Sequence, residues 1–354
     1  MPSPFPGVPP EQRGDVHVLD HTSDVLKDNP FGDPARRDLF VYTPPGYADA
    51  SAAYPAVMIL PGYTGTGEKL LARGFTDMSI ATRIDRLIAE GCPPFIAVMP
   101  DCMTSLGGSQ YVDSVGLGMY ASYLVDEIRT TVDDTYRTTG KWGVTGHSSG
   151  GFGALHLAMT HPGAFHAVAS HAGDLGFDLA YLGDVPKAVS AVTSKGGLEA
   201  FLDGFWARRN HSGGDIAAMM LLCICCAYLP DLEAAPLPCR LPVDFETGEV
   251  DFEVLKALTA LDPIQRIDNA EERAGLASLD LLLIDAGRFD EYNLQIAARR
   301  FVKQLEASDV LPIMRAKMRL RLFFSDASQV EGALASMRKL GAEASSSSSS
   351  SSSS

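Results

Sequence analysis

Short apolar runs closed by glycine or proline alternate along this chain with longer stretches in which apolar residues recur every three to four positions. The first pattern reads as buried strand, the second as amphipathic helix. On this basis strands are predicted at Asp15 to Leu19, Asp38 to Tyr42 and Ala56 to Leu60, with a turn at Pro44-Pro45-Gly46 between the last two. An amphipathic helix from Ser79 to Glu90 precedes the apolar strand Phe95 to Met99. A second helix, Met119 to Val132, puts Tyr120, Tyr123, Leu124 and Ile128 on one stripe. The strand Lys141 to Thr145, a helix from Ser149 to Thr160, the strand Ala167 to Ser170 and the strongly apolar strand Leu279 to Ile284 complete the order. Strands alternating with helices predict an α/β fold: a mostly parallel central sheet with helices on both faces and a ligand site at the carboxyl ends of the strands.

Roughly 105 residues separate His171 from Leu279, far more than an ordinary crossover. They carry helical patches at Gly197 to Arg208, Asp215 to Tyr228 and Asp251 to Ala260, so residues 172–278 are expected to form a helical cap over the site. Four segments follow: a Pro-rich tail (1–14), the α/β domain with its cap (15–310), an atypical segment (311–344) and a serine run (345–354). The serine run holds too little apolar surface to order itself.

The composition, 46% hydrophobic and 21% charged over 354 residues, suits a single enzyme-sized globular domain. A formal charge of −15 repels phosphate backbones and anionic bilayers, which argues against nucleic-acid or membrane partners. The longest apolar stretch, Ala217 to Leu229, is too short to span a bilayer, and the first residues carry prolines where a secretory leader needs an apolar run. The expectation is a soluble, cytoplasmic protein acting on a small molecule. Of the six cysteines, Cys223, Cys225 and Cys226 fall in the run MMLLCICCAYL with no partner cluster at ligand spacing. They read as buried helix thiols, with no metal or other cofactor expected.

The candidate chemistry centres on Gly146-His147-Ser148-Ser149-Gly150, with a predicted strand before it and a helix after it. A serine at the tip of so sharp a strand-to-helix turn adopts strained backbone, and small residues two before and two after leave room for the flanking elements. The competing reading is a Gly/Ser-rich helix start with Ser148 or Ser149 as its cap; the flanking WGVT and GGFGALHLAM favour the elbow. An ester-cleaving serine also needs donors for an oxyanion. Ser149 N–H supplies one, and the turn Pro61-Gly62-Tyr63-Thr64-Gly65 after a buried strand supplies the other, with Tyr63 N–H preferred.

The acid of a serine triad in this fold follows a late strand. Asp290 occupies the loop beyond Leu279 to Ile284, whereas Asp285 suits a turn or cap and Glu291 the opening of the next helix. The base belongs after the acid, yet all eight histidines (17, 21, 147, 156, 161, 166, 171 and 211) precede Asp290. Packing or surface roles suit His147, His156 and His161. His171 remains as a weak candidate base because it ends a strand at the edge that lines the pocket. Gln110 and Tyr111, in the loop after Phe95 to Met99, are candidate pocket-lining residues.

Several longer segments, among them RRDLFVYTPPGY, YPAVMILPGYTG, PDCMTSLGGSQYVDS, VTGHSSGGFGALHLAMTHPGAFHAVASHAGD, LPVDFETGEV with ALDPIQRI, and IDAGRFDEYNLQIAARRF, extend this picture. Over about Val16 to Val310 the chain resembles the putative-esterase (esterase D-like) family of α/β-hydrolases, relatives of S-formylglutathione hydrolases, feruloyl and enterochelin esterases and mycolyltransferases. The resemblance implies Ser148 as nucleophile, Asp290 as acid, and the Gly62-Tyr63 turn with Ser149 as oxyanion donors. It also implies a Gly-His after a further strand, and the match stops near Ser308-Asp309-Val310, before that strand. The Arg-, Lys- and Met-rich run that follows is read as a terminus acquired by a shifted frame or retained intron, ahead of loss of the base or its recruitment from elsewhere. Met318 to Phe324 is the candidate surrogate strand.

Two functions stay in view. One is a serine hydrolase of carboxylic esters or thioesters working through an acyl-enzyme on Ser148. The other is a catalytically inactive binding or scaffold protein that keeps the fold and pocket.

Overall fold

A computed structural model of the protein describes residues 8–74 and 78–308. The segments 311–344 and 345–354, and with them the surrogate strand Met318 to Phe324, lie outside the described residues.

Among the described residues seven strands form the main sheet: β1 (Asp15–Thr22), β2 (Arg36–Thr43), β3 (Tyr54–Leu60), β4 (Ile96–Pro100), β5 (Thr138–His147), β6 (Ala167–His171) and β7 (Leu281–Asp285). Their spatial order is β1-β2-β4-β3-β5-β6-β7. β1 with β2 and β2 with β4 run antiparallel, and β4, β3, β5, β6 and β7 are mutually parallel. Each strand predicted within the described residues is present; most extend past the apolar run because ladder bonds continue there, while β4 is shifted by one residue and β7 begins two residues later than predicted. β3, β4, β6 and β7 are buried almost throughout, as a sheet covered on both faces requires.

One face is covered by the helix Ile80–Ala89, whose Ile80, Ile84 and Leu87 meet Val57, Ile59, Ala97 and Met99. The spacing i, i+4, i+7 makes one stripe, and burying each such side chain contributes about 1.5–3 kcal/mol. Ser79 begins this helix, its hydroxyl accepting from Thr82 N–H. The opposite face carries the helices of Tyr120–Thr135, Ser149–Thr160 and Leu294–Ala307, whose buried side chains join the main core. Within the first of these, residues Tyr123–Ile128 form a π-helical turn. The 3.6-residue spacing of its apolar stripe predicts continuous α-helix instead.

Between β6 and β7 the chain builds a helical cap: Phe177–Ala180, Val185–Ser194, Leu198–Phe205, Gly213–Tyr228, Phe252–Thr259, Pro263–Arg266 and Ala270–Ala277. Three of these match the predicted patches. Val185–Ser194 does not, because VPKAVSAVTS is rich in residues of weak helix preference. It is helical because Ala188 and Val192 are buried in the core beside Gly213–Tyr228, with Gly214 close against Ala191. Gly213–Tyr228 opens on a capping box between Ser212 and Asp215, and all six cysteines are buried free thiols, three of them on this helix. Among the described residues no helix is long and apolar enough to cross a membrane.

Register brings the carboxyl ends together. Leu60 pairs with Gly146, His147 with His171, and His171 with Asp285, so residues distant in sequence meet along one edge of the sheet.

Candidate active site

Ser148 sits between the end of β5 and the first residue of the helix Ser149–Thr160, with φ 55° and ψ −123°. That is a region a side chain rarely occupies and one that the surroundings must enforce. Three backbone bonds do so: Ser148 N–H donates to the His171 carbonyl (3.0 Å), and the Ser148 carbonyl accepts from Phe152 N–H (3.0 Å) and Asp174 N–H (3.2 Å). The flanking glycines have no alternative. A Cβ on Gly146 would lie 2.2 Å from the Gly150 carbonyl oxygen, and one on Gly150 would lie 2.1 Å from that of Leu60.

The turn after β3 abuts this elbow: a Cβ on Gly62 would be 3.3 Å from that of Ser148. The turn is pinned from the loop after β4, by Thr64 N–H on the Gly107 carbonyl (2.8 Å) and by the Tyr63 hydroxyl on the Leu106 carbonyl (2.6 Å). The Tyr63 and Ser149 N–H groups have no protein acceptor among the described residues, and Gly62, Tyr63 and Ser148 line one cleft of about 600 Å³. The cap closes its far side with Ile216, Ala217 and Met220 of Gly213–Tyr228.

Gln110 and Tyr111 lie in the core, 1% and 5% exposed. Tyr111 donates its hydroxyl to the Pro61 carbonyl at 2.5 Å, which braces the Gly62-Tyr63 turn from behind. Both have positive φ (53° and 58°), so the loop enters the core through a tight reversal.

Asp290 is in the loop beyond β7, where its carboxylate accepts from Tyr292 N–H (3.0 Å) and Leu294 N–H (3.2 Å) at the entry to the helix Leu294–Ala307. That helix starts three residues after Glu291, which is exposed. Asp285 ends β7 and binds His171 Nδ1 through both oxygens, at 2.9 and 3.0 Å. The His171 ring is 1% exposed, its Nε2 has no partner among the described residues, and it lines an adjoining cavity of about 340 Å³ with Ile59, Ile80 and Thr145.

Of the other histidines, His147 lines both the Ser148 cleft and the adjoining cavity. His156 is stacked on Phe152 with Arg266 at 2.9 Å from its Nδ1, and burial, reinforced by that guanidinium, holds it well below the usual histidine range. His161 pairs with Thr160, His166 with the backbone of Trp142, His17 with Thr43 and His21 with Glu127, and His211 stacks on Phe205.

Asp174 occupies the position next to the nucleophile candidate. Ser148 Oγ donates to its Oδ1 at 3.2 Å, and the Tyr181 hydroxyl donates to its Oδ2 at 3.1 Å. Burial pushes the Asp174 carboxyl up to about 6, against the bonds from Tyr181 and Ser148, and the negative charge of Asp290 pushes the same way. Sequence reasoning passed over Asp174 and Tyr181. The available signal was position: Asp174 lies three residues past the end of β6, at the carboxyl edge where parallel sheets gather ligand groups. Among the described residues no group of three or more His, Cys, Asp or Glu side chains is placed to hold a metal ion.

A mostly parallel sheet with this strand order, an elbow serine and a helical insertion define the chain as an α/β-hydrolase-fold protein. A family profile described as "Putative esterase" matches residues 34–213, just over half of the chain, and the protein belongs to that family. No curated protein matches it. Solved structures do, among them FphF, a fluorophosphonate-binding serine hydrolase of Staphylococcus aureus, at 14% identity and TM-score 0.53 over 92% of this chain and 99% of that one. A ferulic acid esterase from Anaeromyces mucronatus matches at 14% identity and TM-score 0.52 over 96% and 94%. The feruloyl esterase module from Clostridium thermocellum matches at 13% and 0.52 over 97% and 90%. At such identities the likeness is one of fold.

Proposed function

We propose that the protein is a serine hydrolase that cleaves carboxylic esters or thioesters through an acyl-enzyme on Ser148. The observation that carries this reading is the backbone of Ser148, held at φ 55° by bonds from both neighbouring elements and opening on the cleft of about 600 Å³. Strain of this kind persists where the surroundings over-determine it, and it places a hydroxyl where a carbonyl carbon can approach. In this reading the Tyr63 and Ser149 amides, beside Gly62, receive the oxyanion. Asp290 is the acid, the cytoplasm the compartment, and a small ester the substrate. Fluorophosphonate binding by FphF, a protein of the same fold, supplies the probe.

The second reading, a binding protein that turns nothing over, is favoured by His171, whose ring is engaged by Asp285 and lines the adjoining cavity. One experiment separates the two. The full chain is incubated with a fluorophosphonate and, separately, with p-nitrophenyl acetate, alongside Ser148→Ala. Labelling and turnover that vanish in Ser148→Ala support the hydrolase. Neither in the wild type favours the binding protein.

A further inference from the structure

We propose that Asp174, in place of an imidazole, is the base that takes the Ser148 hydroxyl proton during acyl transfer, with Tyr181 positioning its carboxylate. The inference rests on the hydrolase reading above. It begins from the side-chain partner that Ser148 Oγ has: Asp174 Oδ1 at 3.2 Å, within reach for proton transfer.

The carboxylate is pinned on rigid elements. Its segment leaves β6 through Ala172, at φ 42°, whose N–H donates to the Asp285 carbonyl (2.7 Å). Gly173 packs against Gly151 of the elbow helix so closely that a Cβ on Gly151 would lie 2.7 Å from its Cα. Asp174 N–H then donates to the Ser148 carbonyl, and Tyr181 holds the second carboxylate oxygen. Base and nucleophile are therefore locked to one another through both backbone and side chain, which is what a general base requires.

Its basicity is suited to the task. Burial leaves Asp174 6% exposed and raises it to about 6, close to the ~6.5 of an unperturbed histidine. The groups acting on it are Tyr181 and Ser148 by hydrogen bond and Asp290 by charge; Tyr111, Tyr228 and Tyr292 also feel its field. At the cleft wall stand the paired Asp184 and Lys187, 2.7 Å apart, and His147.

The proton bookkeeping closes without an outside reagent. As the Ser148 Oγ–acyl carbon bond forms, the hydroxyl proton moves to Asp174 and the carbonyl π pair moves to oxygen. When the oxyanion collapses, the bond to the leaving oxygen or sulfur breaks and that atom takes the proton from Asp174. Water then repeats the sequence on the acyl-enzyme and restores Ser148.

The test measures Ser148-dependent p-nitrophenyl acetate turnover and fluorophosphonate labelling of the full chain from acidic to mildly alkaline pH. The expected wild-type profile has an acid limb at about 6. Asp174→Asn lowers the rate by ~10²- to 10⁴-fold and removes the limb. Tyr181→Phe moves the limb to higher pH by removing a bond that favours the ionised form. This shift does not depend on how Asp174→Asn folds, and a merely structural carboxylate would not produce it. Ser148-dependent turnover that keeps its rate and limb in Asp174→Asn, or whose limb disappears in His147→Gln, overturns the assignment while the hydrolase reading stands. A wild type that takes no label at Ser148 overturns both.

Discussion

Adding one methyl group at Gly150 tests how the elbow is built. The new Cβ would lie 2.1 Å from the Leu60 carbonyl oxygen, 2.7 Å from its carbon and 2.6 Å from the Pro61 oxygen, all backbone. No side chain can swing aside, so relief requires β3 or the elbow helix to shift by more than an ångström, and Leu60 is already laddered to Gly146. Overpacking typically costs about 1–3 kcal/mol, and a clash between two backbones belongs at the upper end, about 3 kcal/mol. At roughly 2 °C per kcal/mol for a chain of this size, Tm should fall by about 6 °C or more. Gly183→Ala is the matched comparison: nothing lies within 4 Å of its added Cβ and its φ is outside the left-handed region. There the smaller unfolded-state entropy should raise stability by about 0.4–1 kcal/mol. Circular dichroism melts of both variants, with Ser148 labelling as a second readout, make the comparison. A Gly150→Ala protein that melts and labels like the wild type would refute the close-packed elbow.

Two further expectations concern buried side chains near the cleft. The Asp174 carboxyl, raised to about 6 from 3.8, favours the folded state fully below its unfolded value, and that contribution is lost as pH rises through about 6. The difference corresponds to about 3 kcal/mol. Urea midpoints at pH 4 and pH 7.5 should therefore show Asp174→Asn gaining on the wild type as pH rises, and parallel pH dependence in the two proteins would sink the idea. For His171→Gln, whose native ring is bonded to Asp285 and faces the adjoining cavity, labelling at Ser148 should stay within about threefold, well under the ~10²-fold minimum for loss of a general base. A hundredfold loss in a folded variant would restore His171 as the base.

How far the chain could be read before its structure varies by element. Apolar strands such as Ala56 to Leu60 and Leu279 to Ile284 declare themselves because a parallel sheet buries both faces, so every position in the run must be apolar. The helix Ser149–Thr160 falls on its predicted bounds, because the glycines around Ser148 mark where strand must become helix. The helix Val185–Ser194 was illegible, since its local preference is weak and packing on Gly213–Tyr228 makes it helical. The π turn at Tyr123–Ile128 was likewise beyond a reading that assumes 3.6 residues per turn.

By itself the sequence determined the order of the strands, the elbow at Ser148 and the loop that carries Asp290, because each rests on residues close together in the chain. Only the tertiary structure decided what stands beside the serine. Parallel register sets His147 beside His171 and His171 beside Asp285, which consumes one histidine in a pair the sequence did not announce. Close contact between Gly151 and Gly173 then sets Asp174 against Ser148, 26 positions away. Hydrogen-bond partners of this kind depend on ångström-scale approach between elements, and a one-dimensional pattern of apolar and polar residues carries no distance.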